Sequence, residues 1–377
     1  MNPLEIKKDA DRNDEEFVIN MGPQHPSTHG VLYLELRLDG EVVVDCRPHI
    51  GYLHRSCEKI AENRTYTQFI PFTDRLDYLA SMNNNLGYVL AVEKLLNLQV
   101  NDRVQYVRTI IVELNRVASH LIGIGTFAQD LGAYATPMFY CFRDREKVVQ
   151  LFDELCGGRL TYNYMRIGGV QSELPAHAGK IILDFIKYER KKLIEYNELL
   201  TYNAIFLART KGIGILKPEV AIDYSVTGPI LRAAGVKWDL RKDEPYMIYD
   251  RFKFDIPVGK SGDSWDRFKV RLDEISESLK ILEQAIGGIP SGNAVAKINK
   301  VFKAPAGEEA YVRTENPRGE LGYYLVSDGG LKPYRNKIRS PSFSNLAVLP
   351  ELIRGLNVSD AVCVLGSFDL VMGEIDR

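Results

Sequence analysis

Helix-period stripes dominate the middle of the chain. Between Arg103 and Gly132, residues Val104, Val107, Ile110, Ile111, Leu114, Val117 and Leu121 recur at spacings of three and four. That pattern predicts one long helix with a single apolar face. A second helix is predicted from Asp144 to Cys156, stopped at Gly157-Gly158. A third runs from near Pro175 to Thr210 on Ile181, Ile182, Phe185, Ile186, Leu193 and Leu200. A fourth runs from Ser264 to Ile286, with Leu272, Ile275, Leu279 and Leu282 inward and Gly287-Gly288 as the stop. Near the N-terminus the period changes to two. Val31, Tyr33 and Glu35 alternate with Leu32, Leu34 and Leu36, followed by Asp39-Gly40 and Val42-Val43-Val44, which reads as a hairpin. Both faces of this ribbon are fairly apolar, so cover on more than one side is expected. After Ala310 short strands and turns return, at Tyr323-Tyr324-Leu325-Val326 and Asp328-Gly329-Gly330.

The fold class expected is α+β, mainly α: a central helical bundle over 86–290, an N-terminal α/β region over 17–85 that holds the hairpin, and a C-terminal β and turn region over 291–377. Residues 1–16, dense in charge, read as a mobile arm. No internal repeat divides the chain, and 1–377 is read as one large domain. A length of 377 residues with 45% hydrophobic content is ample for a large core. Lys+Arg 48 against Asp+Glu 50 leaves a net charge of -2, without the basic excess of a general nucleic-acid binder. The five cysteines, Cys46, Cys57, Cys141, Cys156 and Cys363, form no C-x-x-C pair, so no zinc ribbon or local iron–sulfur motif can be built from them. Their sparse, odd set fits a reducing compartment. No apolar stretch is expected to reach membrane-span length, and the charged start lacks the apolar run of a signal peptide.

Three motif imitations fail on context. Gly259-Lys260-Ser261 ends like a phosphate-binding loop, but Phe254 stands where its first glycine belongs. Gly123-Ile124-Gly125 lies late in a helical stripe, where small residues let helices pack closely, not between a strand and a helix. No G-x-S-x-G occurs. Lys332, Arg335, Lys337 and Arg339 alternate, which suggests one exposed strand face, a candidate docking surface.

Three segments carry candidate chemistry. Met21 to Gly30 is a Pro/Gly-rich loop holding two of the six histidines, His25 and His29. On the residues alone it reads as a turn with two hydrogen-bonded imidazoles, since two imidazoles do not close a metal site. Phe72-Thr73-Asp74-Arg75-Leu76-Asp77-Tyr78 packs three charges and a phenol ahead of a helix, which Thr73 or Asp74 would cap. Gly366 to Arg377 is apolar enough to tuck into the core.

These segments, together with Pro48 to Arg55, Asn163 to Val170 and Arg318 to Gly322, closely resemble the D-type subunit family of respiratory complex I. Its members are the large quinone-site subunits of proton-pumping NADH:quinone oxidoreductase, related to the large subunits of [NiFe]-hydrogenases. The resemblance runs from about Val18 to Arg377. In the hydrogenases R-x-C-x-x-C and D-P-C-x-x-C motifs bind nickel and iron. Here they fall on Arg75 to Ala80 and Asp369 to Glu374, where Asp77, Ala80, Val371 and Glu374 hold the cysteine places. Without those soft thiolates the metal chemistry is lost, and the resemblance implies that the vacated cavity becomes a quinone pocket.

Carried over residue by residue, the resemblance implies that the quinone head lies between His29 and Tyr78. Asp130 would pair with the histidine and raise its basicity. Thr126 and Val371 would line the pocket. Arg55 and Arg75 would stand near the [4Fe-4S] cluster of a partner subunit, raising its potential. This chain would bind no metal and no cofactor of its own. The implied partners are complex I subunits of the B, C and I types and the membrane subunit of the H type, with no nucleic acid. The implied location is peripheral, on the cytoplasmic side of the bacterial inner membrane, held through the complex. Three alternatives stay open on residues alone: the same quinone-reducing subunit fed by a ferredoxin-type donor, a hydrogenase-like subunit that the missing cysteines oppose, and a non-catalytic scaffold. One departure stands out. Many family members carry a histidine where this chain has Thr161, a residue thought to tie the cluster potential to pH. The expected outcome is a cluster potential with weak pH dependence, checked by redox titration across pH. A slope as steep as in histidine-bearing relatives would refute it.

Overall fold

A computed structural model describes residues 16–25, 30–133, 136–297 and 301–377. It opens with three antiparallel strands, β1 (Glu16–Met21), β2 (Tyr33–Asp39) and β3 (Val42–His49), in that spatial order. β2 and β3 are the expected hairpin. It turns at Gly40, whose φ of +57° is a left-handed conformation that glycine adopts without strain. β1 was not foreseen: Phe17-Val18-Ile19 is too short an apolar run to show a period, and Glu16, assigned above to the arm, begins the strand. The remainder of the arm lies outside the described residues. The ribbon is covered on one face only. Leu34, Leu36 and Leu38 are buried, while Tyr33, Glu35 and Arg37 are half-buried. The outer face keeps its charges wet, with Arg37 near Glu16 and Arg47 near Glu35.

The helical part begins with α1 (Cys57–Ala61), α2 (Tyr66–Thr73) and α3 (Ser81–Leu95). Thr65 and Gln68 form a reciprocal capping box at the start of α2. Thr73 therefore ends a helix instead of starting one. α4 (Asp102–Asp130) is the long helix, capped by Asn101, whose side chain accepts from Val104 N at 2.9 Å. By length and composition α4 could cross a bilayer, contrary to the reading of the sequence. Yet 94% of its most apolar window is buried inside the protein, as a core helix demands. α5 (Thr136–Cys156) starts earlier than expected and stops at Gly157, with φ +70°. A two-residue hairpin follows, β4 (Met165–Arg166) and β5 (Gly169–Val170).

The third expected helix is broken. α6 (Ala178–Tyr196) widens into a π turn at Asn197–Thr201, and α7 (Ala204–Thr210) starts afresh. Asn203 causes the restart, because its side chain accepts from Ile205 N and Phe206 N at 3.0 and 3.2 Å and caps a new helix. Short helices α8 (Pro218–Asp223), α9 (Pro229–Ala233) and α10 (Leu240–Asp243) lead to α11 (Ser264–Gly288). Asp263 caps α11 through Asp266 N at 2.8 Å. The C-terminal region holds the antiparallel sheet β6 (Ala306–Asn316), β7 (Gly319–Asp328) and β8 (Arg335–Arg339). It then departs from the expected strands and turns. Four helices follow: α12 (Pro341–Leu346), α13 (Leu349–Ile353), α14 (Val358–Phe368) and α15 (Met372–Asp376). Three are too short to display a 3.6-residue period, and capping starts α12, where Ser340 precedes Pro341.

Two apolar clusters result. The larger joins α2, α3, α4, α5, α6 and α11 with the inner face of β6 and β7. The smaller packs the N-terminal ribbon against α8, α9 and the C-terminal helices. Asp102–Asp130 is the spine, packing on α5, α11 and α14. The turn from β6 to β7 is pinned by two glycines in contact. A Cβ on Gly228 would lie 2.4 Å from the Gly319 Cα, and one on Gly319 would lie 2.5 Å from Thr227 Oγ1. Gly319→Ala, at φ +132°, is expected to cost more than about 2 kcal/mol. Gly40→Ala meets open space and should cost about 1 kcal/mol. Comparing thermal unfolding of the two variants checks the difference.

Candidate functional site

The three segments singled out in the sequence fare differently. Residues 26–29, and with them His29, lie outside the described residues. His25 is exposed and forms a bridge with Gly30 that closes the loop's base. The Asp74–Tyr78 segment and the C-terminal segment do meet. A Cβ on Gly373 would fall 2.5 Å from the Leu76 carbonyl oxygen and 2.8 Å from that of Arg75, so the two backbones touch.

Arg318, in the turn between β6 and β7, ties these segments together. It is fully buried, and its fork is spent on them. One terminal nitrogen donates to Asp77 Oδ2 at 2.8 Å and to Ser119 Oγ at 2.9 Å. The other donates to Asp369 Oδ1 at 3.1 Å, and Nε donates to the Asp369 carbonyl at 2.8 Å. Asp369 caps α14 in a left-handed conformation, φ 56°. Its carboxylate sits where a Cβ on Gly123 would be, 2.8 Å from its Cγ. Gly123 thus opens α4 for a carboxylate as well as for a helix. Gly125 serves close packing as expected, 3.1 Å from the Cys141 Cβ. Arg271 holds the end of α14 through Ser367 O and Phe368 O at 2.7 and 2.8 Å.

Ala80 stands at the N-cap of α3 without a side-chain bond, so neither Thr73 nor Asp74 caps this helix as expected, and Asp77 closes the turn ahead of it. Its Oδ1 accepts from Leu79 N and Ala80 N at 3.1 and 3.2 Å, just ahead of α3. Asp74 is instead buried, accepts from Asn163 N at 3.2 Å, and burial pushes its carboxyl up to about 6. Glu374 is buried as well. Ser342 N donates to its Oε1 at 3.1 Å and the Ser342 hydroxyl donates to the same oxygen. Burial, reinforced by the nearby Asp77 charge, pushes the Glu374 carboxyl up to about 8. Tyr78 is half-buried. Burial first and Asp77 second raise its phenol above the ordinary value.

The remaining candidates surround this group. Thr126 lies one turn beyond Gly123 on α4, its hydroxyl donating to Ile122 O at 2.9 Å. Asp130, one turn further, brings Oδ2 within 2.7 Å of a Cβ position on Gly366, so its carboxyl rests against α14. Val371 is buried at the start of α15, with its N–H directed to Ser342 Oγ at 3.4 Å. Arg55 and Arg75 are both exposed and adjacent, with Arg55 Nη2 donating to the Arg75 carbonyl at 2.5 Å. Arg75 also donates to Pro71 O at 2.6 Å. Cavities of about 290, 410 and 430 Å³ are not lined by Tyr78, Thr126 or Val371, and the last lies between α5 and α6. Among the described residues no group of three or more His, Cys, Asp or Glu is arranged to hold a metal ion.

Sequence reasoning missed Ser342 and Arg271, and Arg318 entered it only as the first residue of a family-like motif, with no role. On the residues alone Arg318 is a cation in a tight Asn316-Pro317-Arg318-Gly319 turn between apolar strands, where an exposed arginine would be unremarkable. The basic strand face is present, but its charges are partly spent. Arg335 pairs with Glu62 and Glu58 at 2.9 and 3.0 Å, and Lys337 pairs with Glu58 at 3.0 Å. The loop that imitated a phosphate cradle is filled from within, since Lys260, Ser261 and Gly262 all donate their N–H to Asp266 Oδ2.

Residues 130–305 and 293–377 match the family model described as respiratory-chain NADH dehydrogenase, 49 Kd subunit. The chain is 53% identical over 366 residues to the D-type subunit of NADH-quinone oxidoreductase from Dehalococcoides mccartyi, covering 96% of this chain and 99% of the relative. It is 52% identical over 363 residues to the corresponding subunit of Bacillus mycoides and 53% to that of Bacillus anthracis, with the same coverage. Arg318→Met would strand Asp77 and Asp369 as buried charges, so a loss of about 3–5 kcal/mol is expected. Arg318→Lys should recover part of it, without the fork that spans both carboxylates. Thermal unfolding of the two purified variants measures this.

Proposed function

The chain belongs to the family of the 49 Kd subunit of respiratory-chain NADH dehydrogenase, and from that premise we propose that it forms the quinone head-group site of an NADH:quinone oxidoreductase. The observation that carries this reading is the Arg318-tied meeting of the Asp74–Tyr78 and Asp369–Asp376 segments, which sets the Tyr78 phenol over a buried, charge-balanced floor.

Reducing a quinone to a quinol takes two electrons and two protons. A phenol held in its neutral form by burial is a hydrogen-bond donor at any physiological pH, which suits Tyr78 to one quinone oxygen. An imidazole suits the other, and His29 on the N-terminal loop takes that role. Asp130 orients that imidazole and stabilises its charged form. Thr126 and Val371 line the space between, and a ring held by two directed donors reacts from a fixed pose. Electrons arrive from a [4Fe-4S] cluster in a neighbouring B-type subunit, facing the exposed Arg55 and Arg75, since this chain has no thiolate set for one. The active site is thus shared between chains. C-, I- and membrane-embedded H-type subunits complete the assembly. In this reading the chain is peripheral to the membrane, on its cytoplasmic side, and proton translocation belongs to the complex. The reading sets aside the hydrogenase alternative because Asp77, Ala80, Val371 and Glu374 carry no thiol.

In the native complex, Tyr78→Phe is expected to lower NADH:quinone turnover about 10²-fold or more, and His29→Ala to do the same, with assembly intact. Subunit composition and turnover of complexes purified through this chain check it. Undiminished turnover in both would leave only a scaffolding role.

A further inference from the structure

The cavity of about 410 Å³ opens beside the C-terminus, between the 50–59 segment and β8. His54, Phe343, Ile375 and Asp376 are among its lining residues. Immediately behind this wall, the chain neighbours of Phe343 and Ile375 are bonded to each other: Ser342 holds Glu374 Oε1 through both its N–H and its hydroxyl. The other carboxyl oxygen, Oε2, is buried and has no hydrogen-bond partner among the described residues. An ionised carboxylate there would leave half its charge unsolvated, whereas a carboxylic acid would not. The neighbouring Gly373 backbone packs on the carbonyls of Arg75 and Leu76, which lead directly into Asp77 and Tyr78, and the Asp77 charge acts on Glu374.

We infer that Glu374 is a proton store for the quinone site, filled from the open cavity and emptied past Asp77 to Tyr78. The inference rests on the quinone-site reading and deepens it. Glu374 touches no quinone atom in this scheme and is a positioning residue acting through its neighbours. The groups facing it are Asp77 ahead of α3, Arg318 from the β6–β7 turn, Tyr323 from β7 and Ser342 from α12, with Asp376 and His54 on the cavity side. Burial and Asp77 hold its proton, while Ser342 and Arg318 pull the other way, and the balance leaves the carboxyl titrating at about 8. The store is therefore full below that pH and empties above it.

The step balances. Two electrons reach the quinone from the neighbouring subunit's iron–sulfur donor. One quinone oxygen takes the Tyr78 proton and the other takes the His29 proton. The O–H bond of Glu374 then breaks, its proton re-forms the Tyr78 hydroxyl by way of Asp77, the carboxylate left behind takes one proton from solvent through the cavity, and His29 takes the second proton from solvent. Glu374 changes protonation only.

The test uses the native complex carrying Glu374→Gln, Glu374→Asp or Tyr78→Phe. Glu374→Gln keeps the size and an acceptor for Ser342 but removes the exchangeable proton. The expected result is quinone turnover lowered about tenfold or more at unchanged KM. A larger solvent deuterium isotope effect, loss of a carboxylic-acid infrared band and loss of the wild-type decline above pH 8 should accompany it. Glu374→Asp should restore part of the turnover with a displaced alkaline limb. Wild-type turnover, pH profile and isotope effect in Glu374→Gln, with Tyr78→Phe impaired, would overturn the store alone. Wild-type turnover in Tyr78→Phe as well would overturn the quinone-site reading beneath it. A pH-independent loss with raised KM would mean a merely structural role and also overturns the store. If Glu374→Gln fails to assemble, an assembled Glu374→Asp complex decides: a displaced limb supports the store, and an unchanged profile overturns it.

Discussion

One guanidinium fixes the geometry on which everything near the site depends. Arg318 is donated by a turn in the C-terminal sheet and bonds to a carboxylate ahead of α3, a hydroxyl on α4 and both the carboxylate and carbonyl that end α14. Asp77 and Asp369 are brought together from distant parts of the chain, and only a planar fork reaches both with hydrogen-bond geometry. Around it the backbone is shaped to admit the pair. Gly123 leaves room for the Asp369 carboxylate, Gly373 lets the C-terminal segment touch the Leu76 carbonyl, and Gly228 and Gly319 interlock beneath the turn.

Arg318 is one case of a wider habit. Arg108, Arg116, Arg232 and Arg241 are also fully buried, and each finds a carboxylate: Glu93 at 2.6 Å, Glu113 at 3.4 Å, Glu274 and Glu315 at 2.8 Å, and Asp239 at 2.7 Å. Among the described residues Arg267 has no carboxylate within bonding reach. Carbonyls of Gly214 and Gly262 and hydroxyls of Ser264 and Ser367 satisfy it, and burial lowers its pKa to about 10. Buried ion pairs add little to net stability, because desolvation offsets their attraction, but losing one partner is costly. Such pairs therefore penalise wrong registers between elements more than they strengthen the right one. On α4 they form a second stripe, Glu113, Arg116, Ser119 and His120, opposite to the apolar one. A helix with both stripes buried is positioned on all sides.

This second stripe also marks the boundary of what the sequence reveals. Hydrophobic period located α4, α5 and α11 and the β2–β3 hairpin, because each is long enough to repeat its pattern several times. It failed where a local hydrogen bond decides the outcome. Asn203 restarts a helix inside a continuous apolar stripe, and a Ser-Pro pair starts a six-residue helix where strands were expected. The site shows the same division. Roles for Tyr78, Thr126, Asp130 and Val371 come only from family resemblance, which is tied to long motifs, and are proposed above on that footing. The partners of Asp77 and Glu374 were not legible, since nothing in a linear pattern says that Arg318 or Ser342 will face them. Thr73 and Asp74 illustrate the error in reverse: their types suit a helix cap, but α3 starts without a side-chain cap, and Asp77, held by Arg318, closes the turn ahead of it.

The charge count explains how so many ionisable groups share one buried place. Two carboxylates, Asp77 and Asp369, face two guanidiniums, Arg318 and, more distantly at 3.8 Å, Arg271. Glu374 keeps its proton near neutral pH and adds no charge. The group is therefore electrically balanced from within, in a low-dielectric interior where an unbalanced charge would be expelled or neutralised. In a thiolate site the metal itself supplies the positive charge that holds converging anions together. Here the fork of Arg318 does so, and it cannot leave. Introducing cysteines at Ala80 and Val371 would add anions around a cation that already spans the gap between Asp77 and Asp369, so Arg318 would have to be removed as well before a metal could enter.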